Sequence, residues 1–349
     1  ILPTNLYFGP YVNIYINILE DNNIEYDVIS WDRESVGEKG HIVFKRKSPL
    51  KSNRLKKIID FLMFTKFVKA QVKTNNYDKL IIFGPQIGLF LYKFLKRSFK
   101  NNLLFDYRDL SIEQLLPKRF NKLLSISSMI CISSDGFKRV LPKGYKYILS
   151  HNFDIKTLKK EIKNNVELFS NSKKVIKIST IGGIRDYDQN LELIKKIKNN
   201  DSFFLEFVGS GIAEKALKNY CNSSKIKNVS FSGYYDKKDE PKFYIDSSFI
   251  NIYYPKILSH ETALSNRFYN SLIYKRPMIV TKNSMQGDLV EKHNLGIAVN
   301  DCDDIEIKLS KYITEFNQVK FNLRCDALLT GFEKDYFEFK KAFINFITN

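Results

Sequence analysis

The chain has 349 residues, of which 44% are hydrophobic and 14% aromatic, so it has enough apolar material for two domains with separate cores. Its formal charge of +18 indicates an anionic partner: nucleic acid, acidic lipid or a phosphate-bearing substrate. The base composition of a genome that favours lysine and asparagine can account for part of that charge. No apolar run in the sequence is long enough to span a bilayer.

The cysteines are few and lie far apart, at Cys131, Cys221, Cys302 and Cys325. Without a CxxC pair they argue against a zinc site and a disulfide framework, and they favour a reducing cytosol. The chain opens at Ile1 rather than Met and shows no signal peptide. We therefore expect that the start is trimmed and that a first strand is partly missing.

The first predicted elements surround a glycine-proline turn at Leu6–Tyr11. An amphipathic helix is predicted near Val12–Asp21, and strands follow at Tyr26–Trp31 and Ile42–Phe44. Gly9 in the turn either lets a ligand approach the backbone or makes a plain turn, and a lone glycine does not decide between the two.

Residues 45–73 form the most basic part of the chain. The cations before and at the start of a predicted helix are Lys45, Arg46, Lys47, Lys51, Arg54, Lys56 and Lys57. The helix then carries Leu55, Ile58, Ile59, Leu62, Phe64 and Phe67, with Lys66, Lys69 and Lys73 continuing the charge. Such a helix can lie on an anionic membrane surface, or it can be an ordinary domain helix with a solvated lysine face.

Charged residues follow the next strands. Strands are predicted at Leu80–Phe83 and Leu103–Tyr107, with a helix between them at 87–96. In open α/β sheets ligands bind beyond the carboxyl ends of strands, so Asp106, Arg108 and Asp109 face a predicted cleft. The two aspartates are either catalytic or substrate-binding carboxylates, or Asp and Arg form a structural pair that caps the next helix.

The first half closes with a helix at 112–124, strands at Met129–Ser133 and Tyr147–Ser150, and His151. We therefore predict one α/β domain over residues 1–155 and a polar, lysine-rich linker over 156–172. A lone histidine is more often structural than functional, so His151 alone indicates no site.

The segment Val175–Asn190 reads as a buried strand, a turn at Gly182 and Gly183, the basic residue Arg185 and the entry to a helix. Glycines let the backbone approach a ligand closely, and a helix N-terminus offers free N–H groups to a phosphate. Arg185 could add a bidentate phosphate contact. Alone, the segment also fits an ordinary tight turn with an exposed arginine.

The strand and helix alternation then continues, which predicts a second doubly wound domain over residues 173–330. Its further strands are predicted at Phe203–Val208, Val229–Phe231, Phe249–Tyr253 and Met278–Thr281. The tail, 331–349, has Phe332, Tyr336, Phe339, Phe343 and Phe346 at helical spacing. It predicts a core-packing helix, which we expect to pack toward the N-terminal domain.

Several segments recur in order at these strand ends: GG with Arg185, FVGSG (207–211), NVSFSGYY (228–235), SNRFYNSLIYKRPMIVT (265–281) and GDLVEKHNLGIAVN (287–300). Together they resemble the donor-binding half of GT-B glycosyltransferases, specifically glycosyltransferase family four. In the first half, CISSDGFKRVL and YILSHNFD (131–154) are more loosely similar to the family's approach to its hinge. WDR (31–33) and DYRD (106–109) resemble members that build bacterial capsule, O-antigen or other surface polysaccharides.

The resemblance implies a GT-B fold, with two Rossmann-like doubly wound domains facing a central cleft. It implies a retaining enzyme, without cofactor or metal, that moves a sugar from a nucleotide-diphosphate donor to a lipid-linked or glycan acceptor. The implied donor-binding residues are Gly182, Gly183, Arg185, Gly209, Gly211, Gly233, Tyr234, Glu261, Asn266, Arg267, Tyr269 and Asn270. The implied catalytic residues are Arg108, Asp109 and Arg185, and the cleft residues on the acceptor side are Gly9, Asp106 and His151.

The sequence departs from the family pattern at several positions. Asn270 stands where the second of two glutamates is usual, with Glu261 next to the position of the first, and Arg108 stands where many members have a histidine. Lys275 also replaces a usual glycine. These departures leave open a non-catalytic nucleotide-sugar-binding subunit of a polysaccharide assembly complex.

The expected location is the cytoplasm, peripheral to the inner face of the bacterial membrane, which residues 45–73 would contact. Nucleic acid is not an expected partner, because no RNA-binding or helix-turn-helix signature accompanies the charge.

Overall fold

The structure is a computed structural model that describes residues 1–38, 42–49, 53–153, 155–158, 168–169, 175–301 and 303–349, without the side chain of Arg54. Lys51, Cys302 and most of the predicted linker at 156–172 lie outside the described residues. The chain divides into two compact units. The N-terminal unit comprises Ile1–Asn152 and Lys334–Asn349, and the C-terminal unit comprises Phe153–Glu333.

The N-terminal unit is built on parallel strands. They are β1 (Ile29–Asp32), β2 (Ile42–Lys45), β3 (Leu80–Phe83), β4 (Leu103–Tyr107), β5 (Met129–Ile132) and β6 (Tyr147–Leu149). β1 pairs with β2, and β3 to β6 pair in sequence order. Residues 1–2 connect the two groups, because Leu2 forms a parallel bridge with Ser30 and the N–H of Phe83 donates to the carbonyl of Ile1 at 3.1 Å.

The helices of this unit begin where the sequence supplies start signals. They are α1 (Val12–Asp21), α2 (Arg54–Asn75), α3 (Pro85–Ser98) and α4 (Pro117–Leu124), with short 3₁₀ turns at Leu6–Phe8, Ile112–Leu115 and Asp135–Arg139. Asn53 caps α2 by accepting from the N–H of Leu55 at 3.0 Å. The predicted helix at 112–124 is split, because Pro117 lacks an N–H and begins α4 instead.

Helix α2 has one apolar face inside the protein and another outside it. Phe61 and Phe64 are buried and pack their rings against the fully buried Trp31, at centroid distances of 5.2 and 5.1 Å. On the other face lies a stripe at spacings of three and four residues, Leu55, Ile58, Ile59, Leu62 and Met63, whose side chains are 44–71% exposed. The sequence therefore predicted an amphipathic helix, whereas the structure has apolar groups on two sides of it.

The C-terminal unit has a single six-stranded parallel sheet. Its strands are β7 (Ile176–Ile181), β8 (Phe203–Val208), β9 (Val229–Gly233), β10 (Phe249–Ile252), β11 (Met278–Thr281) and β12 (Gly296–Val299), in the order β12-β11-β10-β7-β8-β9. The chain therefore winds outward from β7 first in one direction and then in the other. This is the doubly wound arrangement that the sequence predicts.

The helices of the C-terminal unit cover both faces of that sheet. They are α5 (Ile155–Leu158), α6 (Tyr187–Ile197), α7 (Glu214–Ser223), α8 (Glu240–Ile245), α9 (Leu258–Thr262), α10 (Asn266–Ile273), α11 (Met285–His293) and α12 (Ile305–Thr314). Separate clusters of buried apolar side chains fill the two faces, one around Ile178 and Phe207 and the other around Ile250 and Phe268. Both faces of the sheet are therefore covered by buried apolar side chains.

In the C-terminal half of the chain, one strand was not predicted and one helix begins earlier than predicted. β12 was not predicted, and it begins at Gly296, where a Cβ would stand 2.0 Å from the carbonyl oxygen of Met278. The last helix, α13 (Gln318–Thr348), starts well before the predicted tail at 331–349. The prediction placed a boundary at Gly331, but this glycine lies inside the helix and does not interrupt it. Phe332 is buried in the C-terminal unit, while Phe339 and Phe343 are buried in the N-terminal unit.

Candidate functional site

The winding order of the C-terminal sheet places a ligand site at one point. The chain leaves β7 toward β8 on one side and later returns to β10 on the other side, so the carboxyl ends of β7 and β10 flank the change of direction. Crevices at such switch points are where open α/β sheets bind ligands. The Gly182 turn follows β7 there, and Tyr253 and Tyr254 follow β10.

Main-chain hydrogen bonds join the loops after β7 and β8 to each other and to the end of β9. The N–H of Gly182 donates to the carbonyl of Val208 at 2.8 Å, and the N–H of Gly209 donates to the carbonyl of Gly233 at 2.8 Å. The N–H of Ile184 donates to Ser210 at 3.1 Å. The predicted glycine turn is thus one edge of a continuous layer that also contains the glycine loop after β8 and the glycine at the end of β9.

Two of the predicted donor-site glycines make this layer possible. A Cβ on Gly209 would stand 2.1 Å from the carbonyl oxygen of Gly182, and a Cβ on Gly211 would stand 2.2 Å from that of Ile184. Gly209 also has a φ of +124°, which side chains rarely tolerate. The glycines of FVGSG therefore allow two loops to touch.

The buried side chain of Arg267 holds the turn at Gly182 and Gly183 in place. Its guanidinium is buried and donates to the carbonyls of Ile181, Gly183 (2.8 Å) and Asn251 (3.3 Å). It thereby ties the ends of β7 and β10 to helix α10. The guanidinium of this predicted donor-binding residue donates its hydrogen bonds to the backbone. Arg267 would therefore affect ligand binding by fixing the shape of the turn.

Arg185 and His260 stand at the open rim of the turn. Arg185 is exposed, and its Nε lies 3.2 Å from the position that a Cβ on Gly183 would take. His260 is partly buried and packs edge-on against Tyr254 at 4.9 Å. Burial lowers the pKa of His260, Asp186 opposes this, and Arg185 lowers the pKa further. An anion bound here would meet Arg185 first.

The structure adds a carboxylate that the sequence-based prediction missed. Glu240 is buried at the start of α8, and its Oε1 accepts from the amide of Asn270 at 2.8 Å. Its Oε2 accepts from the hydroxyl of Tyr235 at 2.8 Å and from Lys237 at 2.6 Å. The acid next to Asn270 thus comes from another helix. The sequence feature that could have indicated this residue is a glutamate five positions after Tyr235, in the segment that follows β9.

The remaining predicted donor-site residues lie in varied surroundings. Asn266 is exposed at the start of α10, Glu261 is partly buried in α9, and Tyr234 is 80% exposed beyond β9. Gly233 has a φ of +73° and open space where a Cβ would be. Tyr269 differs, because its buried ring packs against Phe332 at 5.5 Å in the core.

Lys275 and Arg276, at the end of helix α10, have structural surroundings. Lys275 adopts a φ of +53°, a conformation that glycine adopts without strain, and it pairs with Asp326. Arg276 is buried and donates to the carbonyls of Tyr244 (2.9 Å) and Ile245 (2.6 Å) at the end of α8. Burial lowers the pKa of Arg276 to about 10, against the effect of Asp246.

In the N-terminal unit, the end of β4 holds a buried ion pair. The guanidinium of Arg108 donates to Oδ2 of Asp106 through Nε at 3.0 Å and Nη2 at 2.9 Å, and Nη2 also donates to Ser150 at 2.9 Å. The hydroxyl of Tyr15 donates to the same Oδ2 at 2.6 Å, and the ring of Tyr11 lies 4.3 Å from the guanidinium. Burial is the largest single influence and lowers the pKa of Arg108, but Asp106, Tyr15 and Tyr11 all raise it, and the net result is a raised pKa.

Asp109 follows this pair with its side chain exposed. Partial loss of water around the carboxyl raises the pKa of Asp109, Arg108 opposes the rise, and Asp106 adds to it. Of the predicted catalytic residues in this unit, Arg108 is thus held inside the protein, and Asp109 is the one open to solvent.

The other predicted cleft residues, Gly9 and His151, are buried in contacts within the N-terminal unit. Gly9 is buried, and a Cβ there would stand 3.0 Å from the side chain of Leu2. The ring of His151 is buried, and its Nε2 lies 2.9 Å from Oδ2 of Asp335 in α13. Both contacts explain these residues structurally within the N-terminal unit.

The described residues contain no group of three or more histidine, cysteine or acidic side chains arranged to hold a metal ion. Among the same residues, no helix has the length and hydropathy needed to cross a membrane. The described cysteines, Cys131, Cys221 and Cys325, are free and buried.

No family model and no curated protein matches the sequence. Solved structures do match over nearly the whole chain. Sucrose-phosphate synthase (tll1590) from Thermosynechococcus elongatus is 12% identical with a TM-score of 0.71, covering 96% of this chain and 93% of that one. A glycosyltransferase from Rickettsia africae is 13% identical with a TM-score of 0.67, covering 100% and 98%.

A third structure, Anabaena Alr3699/HepE in complex with UDP, is 13% identical with a TM-score of 0.66, covering 99% of this chain and 98% of that one. The neighbours are GT-B glycosyltransferases, and the α/β structure with parallel sheets described above matches them. The expected fold class is therefore confirmed: the chain has the GT-B fold of glycosyltransferases.

Proposed function

We propose that this protein is a retaining glycosyltransferase that moves a sugar from a nucleotide-diphosphate-sugar to a lipid-linked or glycan acceptor in bacterial surface polysaccharide synthesis. The observation that carries the proposal is the continuous glycine layer at the switch point of the C-terminal sheet. Arg185 stands exposed at its rim. A diphosphate needs a backbone that it can approach closely and a cation, and the turn at Gly182 and Gly183 with Arg185 would supply both.

The chemical demand of the reaction falls on the leaving group. The bond from the sugar's anomeric carbon to the diphosphate oxygen breaks, and the same carbon bonds to an acceptor hydroxyl oxygen on the face that the diphosphate leaves, which retains the configuration. The diphosphate leaves with the electron pair, so donors fixed beside it stabilise the transition state. Arg185 and the glycine turn would do this without a metal. Asp109, as the exposed carboxylate after β4, would take the acceptor's proton.

Donor binding gives the first test. A ligand that binds only the native state raises its melting temperature, so UDP, GDP and ADP can be screened directly. We expect one of them to stabilise the protein, and Arg185→Ala to weaken that nucleotide about 10–100-fold, because a charge-assisted contact is lost. Lys195→Ala removes an exposed cation from the far end of α6 and serves as the control. Unchanged binding by Arg185→Ala would contradict the diphosphate assignment.

Catalysis needs its own test, because Asn270 and the buried Arg108 also fit a subunit that binds a nucleotide-sugar without turning it over. Release of nucleoside diphosphate in the presence of acceptor distinguishes the two functions. We expect Asp109→Asn to lower turnover at least about 100-fold while donor affinity stays unchanged. Binding without turnover on any acceptor of the pathway would favour the non-catalytic subunit.

We further propose that helix α2 brings the enzyme to an anionic membrane surface, at the inner face of the cell membrane, where a lipid-linked acceptor would lie. Its exposed apolar stripe is bordered by Lys56 and is continued along the same face by Lys66 and Lys73, all exposed. An apolar stripe next to cations matches the boundary between acyl chains and acidic headgroups.

Vesicle flotation tests this surface. The protein should float with vesicles that contain anionic phosphatidylglycerol and should float poorly with neutral phosphatidylcholine. The double variant Ile59→Ser with Leu62→Ser should lose binding to the anionic vesicles. Ile307→Ser removes a side chain that is 66% exposed on α12, so it is the matched control. Equal flotation of the double variant and the wild type would refute membrane docking through α2.

A further inference from the structure

Glu240 is a buried carboxylate whose position calls for an explanation. Its relative exposure is 8%, and both carboxylate oxygens accept hydrogen bonds, from Asn270, Tyr235 and Lys237. The backbone around it is fixed at the other end of α8, where Arg276 binds the last carbonyls. Carboxylates are rarely buried without such partners. The cost of burying Glu240 indicates a specific task for this group.

The carboxylate adjoins the glycine turn. The hydroxyl of Tyr235, which donates to Glu240, lies 3.9 Å from the position that a Cβ on Gly182 would take. Asn270 lies on α10, the helix whose Arg267 holds the carbonyl of Gly183. Glu240 therefore belongs to the same end of the sheet as the candidate diphosphate site.

The hydrogen-bond chemistry orients Asn270. An ionised carboxylate only accepts hydrogen bonds, so the amide NH₂ of Asn270 must face Glu240 and the amide oxygen must face away from it. A negative charge here repels phosphate, so the ligand group suited to this place is a hydroxyl, which can donate to the amide oxygen.

We propose that Glu240 is a positioning residue that holds Asn270 as the acceptor for a sugar hydroxyl of the donor, either on the ribose of the nucleotide or on the transferred sugar. This inference rests on the proposed function, because it assigns a part of the same donor site. The charge that the sequence lacks at position 270 is supplied by Glu240 from α8 and acts through the orientation of the Asn270 amide.

The test compares nucleotides that differ by one ribose hydroxyl, and nucleotides that differ by the presence of the transferred sugar. Binding of UDP, GDP and ADP is measured against their 2′-deoxy counterparts and against UDP-glucose. In Glu240→Gln the new amide no longer dictates which way Asn270 faces. We expect its affinity for the hydroxyl-bearing ligand to fall about tenfold, with affinity for the ligand without that hydroxyl unchanged. A merely structural role would weaken all ligands alike.

Two further variants keep the test decisive. Asn270→Ala removes the acceptor itself and must lose the same discrimination even if Glu240→Gln folds poorly. The exchanged pair Glu240→Gln with Asn270→Asp restores an amide beside a carboxylate and should recover the discrimination. Glu206→Gln, on a carboxylate in β8 paired with Lys177 at 2.6 Å, is the control that should leave it unchanged.

The outcomes separate the sources of the hydroxyl. Lost preference for the ribonucleotide over its 2′-deoxy form assigns the ribose, while lost preference for UDP-glucose over UDP alone assigns the transferred sugar. Nucleotide binding with both preferences intact in Glu240→Gln and Asn270→Ala overturns this inference and leaves the proposed function standing. Failure of the wild type to bind any of these nucleotides overturns both.

Discussion

The strand ends that the sequence singled out differ between the two units. In the C-terminal unit β7, β8 and β9 end at glycines, and Arg185 is exposed beside the contact between Gly182 and Gly209. In the N-terminal unit β4 ends in Asp106 and Arg108, which bury their charges against each other. The first end is built from backbone and can receive an anion. At the second end, most of the polar groups already form hydrogen bonds with one another.

This difference teaches that charge at a strand end is a weaker sign of a binding site than shape. Asp106 and Arg108 are the more conspicuous residues in the sequence, yet their side chains hold each other, Tyr15 and Ser150 in place. The glycines carry no functional group, but their missing side chains shape the loops. The largest expected effects of substitution therefore differ in kind: stability at the N-terminal strand end, and loop geometry at the C-terminal one.

Breaking the buried pair should have the largest effect. Asp106→Ala leaves the guanidinium of Arg108 buried without its partner, which we expect to lower the free energy of unfolding by about 3–5 kcal/mol. Denaturant unfolding followed by circular dichroism measures it. Asp135→Ala is the control, because its ion pair with Lys138 is about half exposed and should contribute less than about 1 kcal/mol. Equal losses in the two variants would show that the buried pair has no special role.

The next largest effect is expected at the glycine layer. Gly209→Ala places a Cβ 2.1 Å from the carbonyl oxygen of Gly182 at a φ of +124°, so the two loops must separate. We expect a loss of about 2–4 kcal/mol in stability, together with loss of nucleotide-induced stabilisation. Differential scanning calorimetry with and without nucleotide measures both.

Gly233→Ala provides the matched comparison within the same layer. Its φ is also positive, at +73°, but nothing lies within 4 Å of the added Cβ. It should therefore cost only about 1 kcal/mol through backbone conformation. If the two alanine variants behave alike, contact between the loops is not what requires glycine at position 209.

Much of the fold was accessible from the sequence, because short β-branched runs followed by glycine mark the strands of a parallel sheet. Strands β3, β4, β8 and β11 match the predicted bounds. β12 was missed because it is only four residues long and begins with a glycine that gives no strand signal. Its place depends on packing against β11, which a local pattern does not encode.

The candidate site was accessible in part. The glycine turn and Arg185 are local features, so their spacing indicated them directly. Glu240 was missed because it reaches Asn270 across 30 positions of sequence, through the packing of α8 beside α10. The burial of Arg108 was equally non-local, since its partner Ser150 comes from the end of another strand. Contacts between elements decide which charged residues remain available to a ligand.

His260 gives the smallest expected effect, and it sharpens the view that the C-terminal rim is arranged for an anion. Burial lowers the pKa of His260 below its ordinary value of 6.5, and the nearby charges are those of Asp186 and Arg185. The unfolded chain therefore binds the proton more readily than the folded one. The stability that the neutral ring contributes is present above pH 6.5 and is lost as the pH falls below that value.

We expect the melting temperature of the wild type to fall more steeply between pH 7.5 and 5.5 than that of His260→Gln. A bound diphosphate should reverse the effect of pH on His260, because a neighbouring anion stabilises the protonated ring. The diphosphate should therefore bind the wild type more tightly at lower pH. His293→Gln is the control, since the pKa of His293 is also lowered by burial but this residue lies at the end of α11. If the nucleotide-induced shift in His260→Gln keeps the pH dependence of the wild type, the anion does not lie beside His260.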